Sequence, residues 1–298
     1  MLDINPTYSG KIEIVAEDLL RRFRRSKPKS DILGVDRAIA ISDYLRDIIT
    51  SIGIPQSRQK YDPTYLEMPR TETVQRTITQ LIASIVEAEG GVFYADTKNN
   101  YIFRNRGFRN ELTTKEPIVE YVPLESFKAG AMKNSQKDVF NLYNITGRKP
   151  AIPDATEPIE PIRVTWPVGE TDSQRYYGVI PGTINNAIIA TEQQGIELAI
   201  LRLKENEFPV NSMQKMDAVV TLDRDRVSAY SRCDLLDVVS VDVPTFTNGP
   251  ERMMIQGYTK KVGLRNSPWY HMEVQLTQPP PVTPVSYTHL TLPTICSV

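Results

Sequence analysis

The sequence predicts an α+β protein in which a helix-rich α/β unit is followed by a strand-rich region interrupted by one long helix. Three observations carry this. Apolar residues recur at helical spacing in two stretches, Ile41–Ile52 and Val74–Val86, both in the first third of the chain. From Glu116 onward the pattern changes to short alternating runs. One stretch of about twenty residues, "INNAIIATEQQGIELAILRLKENE", returns to the helical period inside that second region.

In order, "KIEIVA" alternates as a strand and "EDLLRRF" reads as a short helix with Leu19, Leu20 and Phe23 on one face. The basic run "RRFRRSKPKS" fits a phosphate or membrane patch only against a matching overall charge; its plain reading is the solvated face and exit of that helix. "VDRAIAISDYLRDIITSIG" is the second helix, with Ile41, Tyr44, Leu45, Ile48 and Ile52 on one side and Gly53 as its stop. The third helix carries Val74, Ile78, Leu81, Ile82, Ile85 and Val86, with Thr71 as the expected N-cap, Glu72 near the positive dipole end and Gly90 as terminator. It feeds "GGVFYADTKNNYIFRNRG" with no linker. "GVFYA" and "YIFRNR" are two alternating strands around a polar turn, with Val92 and Tyr94 on one face and Phe93 on the other. A lone hairpin is marginal in water, so the helix is expected to cover one of its faces.

Beyond Glu116, "IVEYVPL", "VFNLYNITGR", "IRVTWPV" and "QRYYGVI" read as strands, with the proline-rich "KPAIPDATEPIEPI" as a loop. The long helix is expected over about 184–206, with Ile188, Ile189, Ile196, Ala199, Ile200 and Leu203 inward. "AVVTL", "DVVSVDVP", "RMMIQGYTKKV" and "WYHMEVQLT" complete the strands, the last two as a hairpin around "GLRNSP".

At 298 residues, the chain is long enough for two domains, and 40% hydrophobic with 24% charged residues suits a globular core. A net charge of -1 argues against a dedicated nucleic-acid binder, which needs basic surplus against phosphates. No apolar run reaches the length of a membrane span, and "MLDINPTYSG" has no basic start or apolar core of a secretory signal. The 22 prolines gather late in the chain and point to loops and strand ends there.

Chemistry is sparse. There is no phosphate-binding glycine loop, no H-E-x-x-H and no C-x-x-C pair. Cys233 in "YSRCDLLD" and His271 in an alternating strand have no local arrangement that makes them a nucleophile and base; a small buried thiol is the plainer reading of Cys233. The acid pairs Glu87 with Glu89 and Asp223 with Asp225 fit solvated positions better than the spaced carboxylates of a glycosidase. "TLDRDR" lacks the glycine and terminal glutamate of a calcium loop. Tyr176 and Tyr177 suit a sugar-stacking pair or, more plainly, one inward and one outward strand residue. No catalytic, cofactor-binding or metal-binding residue is expected, and no cofactor.

The order of these pieces from Ile4 to Pro281 resembles the tail-hub or minor tail proteins (tail tip, baseplate-hub-like) of long-tailed bacteriophages. "IEIVAEDLLRRF" resembles the opening of that family's helical insertion, and "AISDYLRDIITSIGIP" its next helix. The best match is "TVQRTITQLIASIVEAEGGVFYADTKNNYIFRNR", a helix, a glutamate with paired glycines and a two-strand phrase. The matching positions are Glu89, Gly90, Gly91, Phe93, Tyr94, Asp96, Phe103 and Arg106. "DVFNLYNITGR", "LLDVVSVDVP", "MMIQGYTKKV" and "WYHMEVQLT" resemble its later strands, with "LLDVVSV" in place of the usual glycine-bearing turn.

The resemblance implies a helical α/β insertion domain with a β-hairpin over 11–112 and a β-barrel-like tail-hub domain over 113–284. Residues 1–10 would be the remnant linker from an N-terminal barrel that is missing here. It implies a non-enzymatic structural role, as a ring at the tail tip or baseplate hub that continues the tail tube. The implied partners are the tail tube, the distal tail protein and tip or fibre proteins, with a homotrimer for the full-length protein. The implied location is the virion tail, after synthesis in the bacterial host cytoplasm. The rival readings are a tail-associated peptidase or cell-wall hydrolase, and a carbohydrate-binding tail module. Finally, "VSYTHLTLPT", Val285 to Thr294, resembles the translation of a transposon-end sequencing adapter. This leads us to expect that 285–298 are an artefact on a metagenomic fragment, with His289 and Cys296 carrying no function.

Overall fold

A computed structural model describes residues 2–6, 12–16, 23, 26, 39–68, 77–96, 98–118, 120–121, 127–134, 139–149, 160–221, 228, 231–242, 249–263 and 269–279. The 285–298 tail, Thr71, Val74, the acids Asp223 and Asp225 and most of the basic run lie outside them.

The chain opens with an antiparallel pair, β1 (Leu2–Pro6) and β2 (Ile12–Ala16), so the stretch expected as linker contains a strand. Helix α1 (Ile41–Ser51) follows the short strand β3 (Ile39–Ala40), which pairs with β5 (Glu67–Met68). Ile41, Tyr44, Leu45, Ile48 and Ile49 are buried on one side of α1, as its period requires. Between them β4 (Gln59–Tyr61) joins the later hairpin.

Helix α2 (Ile78–Glu89) begins at Thr77, not Thr71. The Thr77 hydroxyl accepts from Gln80 N and the Gln80 side chain accepts from Thr77 N, a reciprocal cap that fixes the start. It ends at Gly90, whose φ of 68° is left-handed. β6 (Val92–Ala95) and β7 (Tyr101–Arg104) then form the expected antiparallel hairpin, with Phe93 opposite Phe103. Asp96 closes its turn by accepting from Lys98 N, Asn100 N and the Asn100 amide. Helix α3 (Phe108–Thr114) follows directly.

The second half contains two sheets. β10 (Leu142–Arg148) lies between β11 (Pro161–Trp166), antiparallel, and β12 (Pro181–Asn185), parallel. The six-stranded sheet has the order β8 (Glu120–Tyr121), β14 (Val238–Val241), β15 (Glu251–Gly263), β16 (Trp269–Thr277), β13 (Asn211–Thr221), β9 (Phe127–Asn134). Its centre is the expected β15–β16 hairpin.

Two further expectations need correction. "QRYYGVI" is not a strand: Thr171 caps a short helix, α4 (Asp172–Tyr177), through a reciprocal bond with Gln174, and Gly178 stops it. The helix expected over 184–206 is α5 (Glu192–Asn206). Its first third is instead β12 and a turn, because Thr191 and Gln194 form the cap and the Asn186 carboxamide accepts from Ile188 N. Ile188 and Ile189 are buried, but from the turn. The barrel-like domain is not a closed barrel among the described residues: β8, only two residues long, and β9 remain its unjoined edges. Yet only residues 122–126 separate these edges, a reach of at most about 21 Å, whereas a flat six-stranded sheet would hold them about 24 Å apart. The sheet is therefore curled.

Packing follows from these faces. One buried cluster contains α1, α2 and β7 side chains and runs on without a break into β10, β11, β12 and α5. A second fills the inner face of the six-stranded sheet, with Met213, Met216, Val239, Met253, Met272 and Val274. A small third cluster, Phe108, Leu112, Val238 and Met254, has Val92 packed against it. The hairpin is thus covered on both faces. Phe93, Tyr101 and Phe103 meet the helical core, where the Phe23 ring packs tilted, its centroid 6.1 Å from that of Phe93 and 5.5 Å from that of Tyr101. Val92 packs against the cluster that includes Val238 of β14 and Met254 of β15.

Candidate functional site

The phrase Glu89-Gly90-Gly91 is a junction between three elements. Glu89 is fully buried, which corrects the reading of a solvated acid pair. Its two carboxylate oxygens accept from Tyr65 N and Leu66 N, each at 3.1 Å, fixing the strand-forming segment 65–68. Burial raises its pKa; the amide bonds and the Arg106 charge oppose that shift. Glu87 is also engaged, accepting from the Asn186 amide at 3.0 Å.

Gly91 packs its α-carbon against backbone: a Cβ there would lie 2.3 Å from the Arg104 carbonyl oxygen. The two arginines that follow the hairpin tie it to α5. Arg106 donates to Glu89 O and, at 3.3 Å, to Glu197. Arg109 donates to Gly90 O and pairs with Glu205. The motif positions therefore serve architecture: the helix stops on two glycines so that a hairpin can be clamped between α5, the helical core and the curled sheet.

Cys233 is buried in the sheet cluster, as the plain reading expects. His271 lies in β16, opposite Val219 on one side and Lys261 on the other. Among the described residues no group of three or more His, Cys, Asp or Glu side chains is placed to hold a metal ion, and no helix is long and apolar enough to cross a membrane.

The surface feature that stands apart is the segment around α4. This helix buries polar side chains, Ser173 and Gln174, and turns Tyr176 outward while Tyr177 stays half-buried, unlike a normal amphipathic helix. The buried side is fully satisfied. Asn141 donates to Gly178 O (2.8 Å) and Ser173 Oγ (3.3 Å) and accepts from Ile180 N (2.7 Å). Gln174 donates to Asn141 O, and Ser173 donates to Glu207 O. A polar lock thus holds a segment that presents Val168 (87% exposed), Tyr176 (82%) and Val179 (63%) to solvent. Tyr176 shares a shallow hollow of about 530 Å³ with Phe208, Asp172 and Arg175. Single exposed apolar residues are ordinary; here Tyr176 lies on the helix and Val168 and Val179 flank it. Sequence reasoning paired the two tyrosines as alternating strand residues and missed the helix. The signal was Thr171 followed three residues later by Gln174.

No protein-family model matches the chain, and no curated protein matches its sequence. Solved structures do resemble it. The 43 kDa tail protein of prophage MuSo2 from Shewanella oneidensis aligns with a TM-score of 0.59 and 15% identity, over 93% of this chain and 78% of that one. The tail protein from Neisseria meningitidis MC58 gives 0.58 and 11%, over 93% and 78%. Prophage tail protein gp18 from Listeria monocytogenes EGD-e gives 0.50 and 12%, over 95% and 76%. At such identities the likeness establishes a shared fold.

Proposed function

We propose that the chain is a structural component of a bacteriophage tail, a non-enzymatic subunit of the tail tip or baseplate hub that assembles as a ring continuing the tail tube. The observation that carries this reading is the fold likeness. The fold aligns over 93–95% of the chain with three tail proteins, two of them from prophages. Fold alone does not dictate function, so the surface matters too. The polar-locked, outward apolar segment at α4 suits a subunit whose role is to be packed against others.

On this reading the partners are tube, distal tail and tip or fibre proteins, and the location is the virion tail. The full-length protein forms a homotrimer, and residues 285–298 contribute nothing. The test is to isolate tail particles from the source phage or lysogen and locate the protein by antibody labelling in negative-stain micrographs. Label confined to the tip supports the proposal. Its absence from particles, with hydrolysis of a peptide or glycan by the purified chain, would replace it with the hydrolase reading.

A further inference from the structure

Phe208, in the link between α5 and β13, is 48% exposed, and three hollows share its side chain. One of them, of about 650 Å³, has Phe208, Pro209 and Val210 as its apolar lining. Gln278 and Pro279, which follow β16, form part of its wall. Gln278 is clamped there. Its main-chain N–H donates to Asn211 O at 3.0 Å, its side-chain oxygen accepts from Asn211 N at 3.1 Å, and its side-chain amide donates to Glu251 at 2.6 Å. These bonds hold residue 278 against the first residues of β13 and β15, so the half-buried Pro279 enters the hollow in a fixed direction.

The sequence then continues as Pro280, Pro281, Val282, Thr283 and Pro284, so that four of the six residues from 279 to 284 are proline. Fixed φ angles and missing N–H groups exclude such a stretch from a helix interior or a central strand and favour the polyproline II form. With so few donors it cannot join a sheet ladder. What recognises it is a groove with an exposed aromatic face, on which the pyrrolidine rings pack. Phe208 supplies that face in the hollow that Pro279 already lines, and Tyr176 stands in the next hollow, which also shares Phe208. The five steps from Pro279 to Pro284 span about 16 Å in this form, against roughly 9 Å across a hollow of 650 Å³. Covalent attachment beside the groove gives the segment an effective concentration on the order of millimolar, so even a weak contact fills it.

We propose that the hollow at Phe208 is a docking groove for the chain's own proline segment, Pro280 to Pro284, laid along it as a polyproline II strand. The segment covers the exposed Phe208 ring and fastens the exit of β16 to the α5–β13 link. This holds whether or not the chain is a tail subunit.

Nuclear magnetic resonance on the full chain tests it. Overhauser contacts should join the Phe208 ring to ring protons of Pro280, Pro281 or Pro284, with those protons shifted upfield by the aromatic ring. Phe208→Ala should abolish the upfield shifts. The triple variant Pro280→Ser, Pro281→Ser, Pro284→Ser should move the amides of Phe208 and Val210 and leave those of the β6–β7 hairpin in place, which also shows that it is folded. Absence of the contacts, or amide changes in the triple variant that stop at residues 276–279, would overturn the groove. Contacts found only between differently labelled chains in a mixed sample would place a second copy's segment there and overturn docking within one chain.

Discussion

Gly91 and Glu89 show how two adjacent requirements fall on neighbouring residues. Adding a methyl group at Gly91 places it 2.3 Å from the Arg104 carbonyl oxygen, which belongs to the β6–β7 ladder and has no side-chain freedom with which to retreat. Gly91→Ala should therefore cost about 3 kcal/mol, the upper range for overpacking, read as a lowered urea midpoint with an unchanged slope. Glu89 gives a pH-dependent test. Its pKa is raised in the folded state by burial, so the folded form binds a proton more tightly than the unfolded chain. The stability from this group is fully present below the ordinary carboxylate range and is lost as pH rises through the raised value. In Glu89→Gln that part of the pH dependence should vanish, so the variant loses less stability than the parent between mildly acidic and neutral pH. Parallel profiles for the two proteins would show that Glu89 is not the titrating group. The sequence displayed both residues, and their spacing suggested a helix stop. That Glu89 was buried was not legible, because its partners are the backbone amides of Tyr65 and Leu66, more than twenty residues earlier.

Elements were legible where their apolar period was set by one partner face, and misread where capping or topology decided. α1 and α2 present single apolar sides, and β15 and β16 alternate and pair antiparallel, so pattern and structure agree. β9, with "FKAGAMKN", has small residues at its centre and gave no alternation to read. β12 was hidden because Ile184, Ile188 and Ile189 imitate a helical stripe, and only the Thr191–Gln194 cap sets the true start of α5. α4 was hidden because its buried side is polar. That inversion carries a prediction. Tyr176→Asp combined with Val168→Asp changes only outward side chains, so the melting temperature should stay within about a degree, as for surface positions generally. If the chain is the tail-tip subunit proposed above, the same double variant should fail to enter tail-tip particles when it replaces the parent gene, as counted by labelling in micrographs. A variant that assembles normally would mean that the α4 surface faces solvent in the particle.

At the scale of the whole molecule, the order of the chain and the packing of its core follow different divisions. The helical stretch and hairpin come first in the sequence and read as a self-contained unit, yet the cluster around Ile48, Ile82 and Phe103 continues into Ile145, Ile189 and Leu198. Three polar ties reinforce the apolar one. Arg106 reaches Glu197, Arg109 reaches Glu205, and the Asn186 amide reaches Ser84 O on α2 at 2.7 Å. Gly90 approaches so closely that a Cβ there would overlap Leu201 of α5. Cutting the chain after residue 112 would expose this whole interface, including buried isoleucines and leucines worth about 1.5–3 kcal/mol each, against a total stability of about 5–15 kcal/mol for a typical protein. A fragment of residues 11–112 should therefore lack the sharp amide spectrum of a folded domain, and adding residues 139–206 in the same chain should restore it. In the full protein, hydrogen exchange should protect the amides of α2 and of α5 with the same opening free energy, since neither can open without uncovering the other. A fragment 11–112 that melts cooperatively on its own, or exchange in which α2 and α5 open separately, would show that the shared core is two cores in contact.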